Sequence, residues 1–147
     1  MKTQLVTNVD FRVAMLPVAA GTTDTQVGPV LDTEGYDSVT FVMLLGTVTT
    51  AAVFTLQVAD GTLANGGDLA VVTGGVALTD AGGASSGKLL VSEIYRPVKR
   101  YVQLQLKRTI ANVVISGAVA ILHHGKAVPV ASPSTDTLEA ILLPTGQ

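Results

Sequence analysis

Along most of this chain apolar residues recur at every second position, the period of a half-buried strand. Between 38 and 45, Val39, Phe41, Met43 and Leu45 fall on one face and Ser38, Thr40, Val42 and Leu44 on the other. The second face is apolar at one end only, so part of it is expected to be covered. From 53 to 58, Phe54, Leu56 and Val58 share a face while Thr55 and Gln57 look outward. A short Gly/Thr/Ala stretch joins the two runs, and the turn dipeptide Asp60-Gly61 follows the second. This spacing predicts a central β-hairpin.

Further runs extend the pattern. Phe11 to Leu16 reads as a first strand stopped by Pro17, and Gly21 to Gln26 as a short polar strand turned by Gly28-Pro29. Leu89 to Tyr95 is a strand ended before Pro97. Arg100 to Lys107 alternates strictly, with Val102, Leu104 and Leu106 inward, and Val113 to Leu122 is a last long strand. A helix over 113–122 is disfavoured by its β-branched residues and central Gly117. Between 60 and 87 glycine-rich turns separate short apolar pieces at 69–72 and 76–79, which predicts long loops with one or two edge strands. The sum is an all-β, antiparallel β-sandwich of jelly-roll or related type spanning 11–130. Residues 1–10 are expected to form an N-terminal arm, and 131–147 a C-terminal linker and arm. In that arm Leu138, Ile141, Leu142 and Leu143 follow a Pro/Ser-rich linker, a pattern that suits docking on a neighbour or on the chain's own domain.

Composition sharpens the picture. Valine (22) and threonine (18) are the commonest residues, as pleated strands favour. Charged residues are only 14% against 48% hydrophobic, and the net charge is −2. A surface so poor in charge resists association weakly, which suggests a chain normally covered by partners. Nine basic residues against 11 acidic argue against a nucleic-acid surface. The one basic concentration, Arg96, Lys99, Arg100, Lys107 and Arg108, reads as strand ends and salt-bridging contacts. There is no cysteine for disulfide or thiolate chemistry. No apolar run is long enough for a bilayer-spanning helix, and Asn8, Asp10 and Arg12 interrupt any signal-like segment.

Candidate chemistry is thin. Gly83-Ala84-Ser85-Ser86-Gly87 fits the nucleophile-elbow pattern, but a strand rather than a helix is expected after it. Gly82 to Lys88 approaches a phosphate-binding loop but ends in Leu89, without the hydroxyl that holds magnesium. His123 and His124 are adjacent on a strand, so they are expected to face opposite sides and not to chelate together. Asp60, Asn65 and Asp68 lack the alternating ligands of a calcium loop. Tyr36, Tyr95 and Tyr101 are too scattered for a stacking platform. No catalytic residue, cofactor, metal or small-molecule substrate is expected.

Several segments resemble one family of virion proteins. They are Leu31-Asp32-Thr33-Glu34-Gly35-Tyr36-Asp37-Ser38-Val39-Thr40-Phe41-Val42, Gly46-Thr47-Val48-Thr49 and Phe54-Thr55-Leu56-Gln57-Val58-Ala59-Asp60-Gly61. Lys99-Arg100-Tyr101-Val102-Gln103-Leu104 and Ala118-Val119-Ala120-Ile121-Leu122 continue the likeness, which runs from 31 to 130. The pattern is similar to that of cement, or decoration, proteins of tailed bacteriophages. The glycine-rich loop at 61–87 departs from it in being more aliphatic. The resemblance implies a jelly-roll-like sandwich bound to the outside of an HK97-type capsid, with the major capsid protein and further copies of itself, as dimer or trimer, for partners. It implies synthesis in the host cytoplasm and residence on the virion surface. It carries over no individual functional residue. The contacts expected from the residues themselves are Arg96, Arg100 and the arm residues Leu138, Ile141, Leu142 and Leu143. A tail or head–tail joining role, and a carbohydrate- or receptor-binding module, are the alternatives.

Overall fold

The computed structural model describes residues 8–72, 76–80 and 82–125. Its elements are β1 (Asp10–Met15), β2 (Asp24–Val27), β3 (Leu31–Asp32), β4 (Tyr36–Val48), β5 (Val53–Gly61), β6 (Ala70–Val71), β7 (Val76–Thr79), β8 (Leu89–Tyr95), β9 (Tyr101–Ile110) and β10 (Val113–Gly125). They form two antiparallel sheets, as the alternation predicts. The first has the order β1-β10-β4-β8. In the second, β9 and β5 are central, β2 and β3 line one side and β6 and β7 the other. The chain changes sheet between β1 and β2, β3 and β4, β4 and β5, β7 and β8, β8 and β9, and β9 and β10, which is the winding of a jelly roll.

The inward sets foreseen from the sequence build the core. Val39, Phe41, Met43 and Leu45 of β4 face Phe54 and Val58 of β5 and Val102, Leu104 and Leu106 of β9, all buried. In β10 a bulge near Gly117 (φ 136°) resets the alternation, so that Ile115 and Ala118 both point inward. The small Ala118 and Ala120 lie within this core.

The central hairpin is corrected. β4 and β5 lie in different sheets: β4 pairs with β10 and β8, while β5 pairs with β9, β6 and β7. The connection at 49–52 is an arch, closed by Ala52 N–H donating to Thr49 C=O (3.0 Å) and turned by Ala51 in the left-handed region (φ 64°). A second arch joins β9 to β10 through Ala111 (φ 60°), and Thr49 N–H donates across to Asn112 C=O at 2.9 Å. Two amphipathic strands in sequence can bury their apolar faces side by side or face to face, and here each strand already has neighbours on both edges. Two boundaries also move. β5 continues through Asp60-Gly61 before the chain turns, and Val9 and Asp10, assigned to an arm, are buried in the sandwich.

Gly28 locks the two sheets together at one side. A Cβ there would sit 1.7 Å from the Ala14 carbonyl oxygen. Its N–H donates to Leu104 C=O (2.9 Å), which bridges the break between β2 and β3 along β9.

Candidate interaction surface

The two outer faces of the sandwich differ in chemistry. On the second sheet the outward residues of β5 and β9 form a polar ladder. Gln57 Nε2 donates to Gln105 Oε1 (2.8 Å), Gln105 Nε2 to Gln103 Oε1 (2.9 Å), and Gln103 Nε2 to the Gly28 carbonyl (2.8 Å). The three amides form one hydrogen-bonded chain that makes the middle of this face polar, with exposed Val27 and Val71 towards its margins.

The first sheet's outer face is the reverse. Register aligns Val13, Val119, Val42 and Val91 in one row across all four strands, with Gly117, Leu44 and Leu89 in the next. Leu16 and Pro17 complete an open apolar depression there. Leu44, Val119, Leu89 and Val91 are 43%, 45%, 60% and 61% exposed. With strands about 4.8 Å apart and outward residues about 7 Å apart along each strand, the apolar face measures on the order of 250 Å². A contiguous apolar patch of a few hundred Å² is about the most that a single chain usually exposes, and such patches are often functional. The cover expected over Val42 and Leu44 is not supplied by any described residue. Val13, Leu89, Val91 and Val119 escaped the sequence reading. Their signal was alternation that stays apolar at outward positions of three strands, and only register shows that these positions align.

Beyond this patch the same face turns polar. Thr40 and Glu93 are cross-strand partners, and Ser38 lies between His123 and Tyr95. His123 Nε2 meets Thr40 Oγ1 at 2.9 Å and Glu93 Oε1 at 3.3 Å. The expectation that the two histidines point apart is corrected. His124 adopts φ 53°, which breaks strand geometry and brings its Nδ1 to 2.7 Å from His123 Nδ1. One ring must carry the proton that the other accepts. Among the described residues no group of three His, Cys, Asp or Glu side chains is placed to hold a metal ion.

Arg96 and Arg100 come together at one end of the sandwich, lining a shallow cleft of about 350 Å³ with Thr33 to Asp37. Their roles differ. Arg100 grips Asp32 in bidentate fashion (Nε–Oδ1 2.8 Å, NH2–Oδ2 2.7 Å) and also reaches Glu34. The Arg100 hydrogen bonds hold the Asp32 carboxyl below its usual range, and Arg100 is itself shifted upward by that partner. Arg100 is therefore a clamp between β3 and β9. Arg96 has a left-handed backbone (φ 49°), its N–H bonds to Asp37 C=O and its guanidinium lies over the Tyr95 ring at 5.2 Å. Leu138, Ile141, Leu142 and Leu143 lie outside the described residues.

The motifs set aside on sequence grounds are turn chemistry in the structure. Gly83–Gly87 leads directly into strand β8. Buried Asp80 organises the turn: it accepts the N–H groups of Ser85 (2.7 Å) and Gly83, and the Ser86 hydroxyl accepts Val48 N–H (2.9 Å). Asp68 takes the Thr62 hydroxyl and the N–H groups of Thr62 (2.8 Å) and Leu63 (3.0 Å), and Asp60 faces Lys99 at 3.5 Å. Among the described residues no helix is long and apolar enough to cross a membrane. No protein-family model and no curated protein matches this sequence.

Proposed function

We propose that the protein is a non-enzymatic structural component of a tailed-phage virion, binding the outside of an icosahedral HK97-type capsid as a cement protein. The observation that carries this reading is the asymmetry of the sandwich: one outer face is a self-bonded glutamine ladder, the other an open apolar surface four strands wide. A jelly-roll sandwich with one adhesive side suits a clamp laid on a larger surface. The patch is smaller than the roughly 800 Å² per partner of a stable one-to-one interface. Useful binding therefore comes from many copies on a symmetric shell, each contributing weakly. The sequence resemblance points the same way, to the major capsid protein as partner and to the virion surface after synthesis in the host cytoplasm.

Binding to shells assembled from the cognate major capsid protein tests the reading. Wild-type chain should co-sediment with shells and raise their disruption temperature, and Val119→Lys should reduce both. Failure of the wild-type chain to bind such shells refutes it.

A further inference from the structure

We propose that the free edge of β8 is a self-recognition site, pairing antiparallel with β8 of a second copy across a two-fold axis normal to the sheet. An unguarded edge strand is a template for another chain, and natural sheets blunt such edges with bulges, prolines, lysines or short strands. The other borders of this sandwich carry those devices. β1 has a bulge between Val13 and Met15, the β2/β3 border is interrupted at Gly28-Pro29, and β6 and β7 span two and four residues. β8 has no bulge, proline or lysine, and Glu93 is its one charged residue. Its seven residues, Leu-Leu-Val-Ser-Glu-Ile-Tyr, run in unbroken register with β4 from Leu89↔Leu44 to Tyr95↔Ser38, and no described strand pairs with its far side.

Hydrogen-bond parity fixes which groups are on offer. Lys88 C=O accepts Leu45 N–H (2.9 Å) and Arg96 N–H donates to Asp37 C=O (2.6 Å). Even-numbered residues therefore bond toward β4, and the N–H and C=O groups of Leu89, Val91, Glu93 and Tyr95 point to the open edge. A two-fold axis at Ser92 sets Val91 opposite the second copy's Glu93 and Leu89 opposite its Tyr95, so all four outward residues form reciprocally bonded pairs. A like-charged pair arises only with the axis at Glu93, and an axis at Ser92 avoids it. On the inner side Leu90 then meets the second copy's Ile94. These two residues face the core yet are only half-buried, unlike the inward residues of β4 and β10, and the pairing covers them. On the outer face this register sets the second copy's Glu93 and Tyr95 beside Val91 and Leu89, so the two valine rows lie staggered on opposite sides of the axis. The inference goes beyond the function proposed above and does not rest on binding to the shell.

Mass measurement of the full chain in solution tests it. Wild type should run at twice the chain mass of 15.0 kDa. Glu93→Pro removes an N–H aimed only at the open edge and should give a monomer with unchanged β-sheet circular dichroism. Because the chain has no cysteine, Ser92→Cys supplies an independent readout. Cα atoms of a non-bonded antiparallel pair lie about 4.5 Å apart, within disulfide range, so mild oxidation should yield a covalent dimer. A monomeric wild type, a dimer that survives Glu93→Pro, or a dimer in which Ser92→Cys fails to cross-link overturns the proposal. Shell binding is measured separately and can persist or fail independently.

Discussion

Arg108 and Asp24 meet fork to fork across the β2–β9 pair, Nε to Oδ1 and NH2 to Oδ2, with the arginine only 4% exposed. The same guanidinium donates to the carbonyls of Ala19 (2.8 Å) and Val113 (2.9 Å), tying the 17–23 connection and the start of β10 to the second sheet. A Cβ on Gly21 would lie 2.5 Å from Arg108 NH2, so the loop folds directly onto this group. Arg108→Met removes the charge but leaves those carbonyls without their donor. It should cost about 2–4 kcal/mol, measured as a shift in the urea midpoint. Arg100→Met, which breaks an exposed clamp, should shift it little.

Arg108 also sets a pH dependence. Its hydrogen bonds hold the Asp24 carboxyl below the ordinary value of 3.8. A carboxyl whose folded pKa is depressed stabilises the fold fully above its unfolded pKa, and that stability is lost as pH falls through the folded value. Asp68, held at about 2 by the Thr62 hydroxyl and the Thr62 and Leu63 amides, acts in the same direction. Stability should thus be flat above about pH 5 and fall between about pH 4 and pH 2. Urea midpoints across that range should show a shallower fall for Asp68→Asn.

Gly28→Ala places a methyl group against main chain, where no side-chain rotation gives relief. Separating β1 from the β2/β3 border should cost at least about 3 kcal/mol. The expected readout is a lower melting temperature with faster amide exchange at Ala14 and Leu104.

Ser38 offers the opposite sign. Its hydroxyl is fully buried with no hydrogen-bond partner among the described residues, and an unsatisfied buried hydroxyl costs on the order of 1–3 kcal/mol. Ser38→Ala should therefore raise stability by about 1 kcal/mol. A loss on thermal denaturation would show that the hydroxyl is satisfied in solution.

Strands and their inward faces were legible because alternation is a local property: Val39 to Leu45 and Val102 to Leu106 follow it without exception. Pairing was not legible. β4 and β5 alternate as well for an arch as for a hairpin, and the choice is made by strands far away in sequence that take their edges. Arg108 shows the same limit. Its position next to Lys107 reads as a solvated strand end or a salt-bridging contact; the ion pair with Asp24 is there, but β9 runs on to Ile110 and Arg108 holds the inward position. The meeting of His123 with His124 rests on one left-handed backbone angle at a non-glycine residue, which no side-chain pattern announces. The apolar face was half visible in Val42 and Leu44, and became a surface only when register set Val13, Val119 and Val91 beside them.

Cryo-electron microscopy of the virion that carries this chain tests the central claim most directly. The account predicts density for the sandwich on the outside of the capsid, with the row Val13, Val119, Val42 and Val91 against the shell and the ladder Gln57, Gln105 and Gln103 facing solvent. A particle in which the glutamine ladder meets the shell, or in which the chain is absent from the capsid surface, would contradict it.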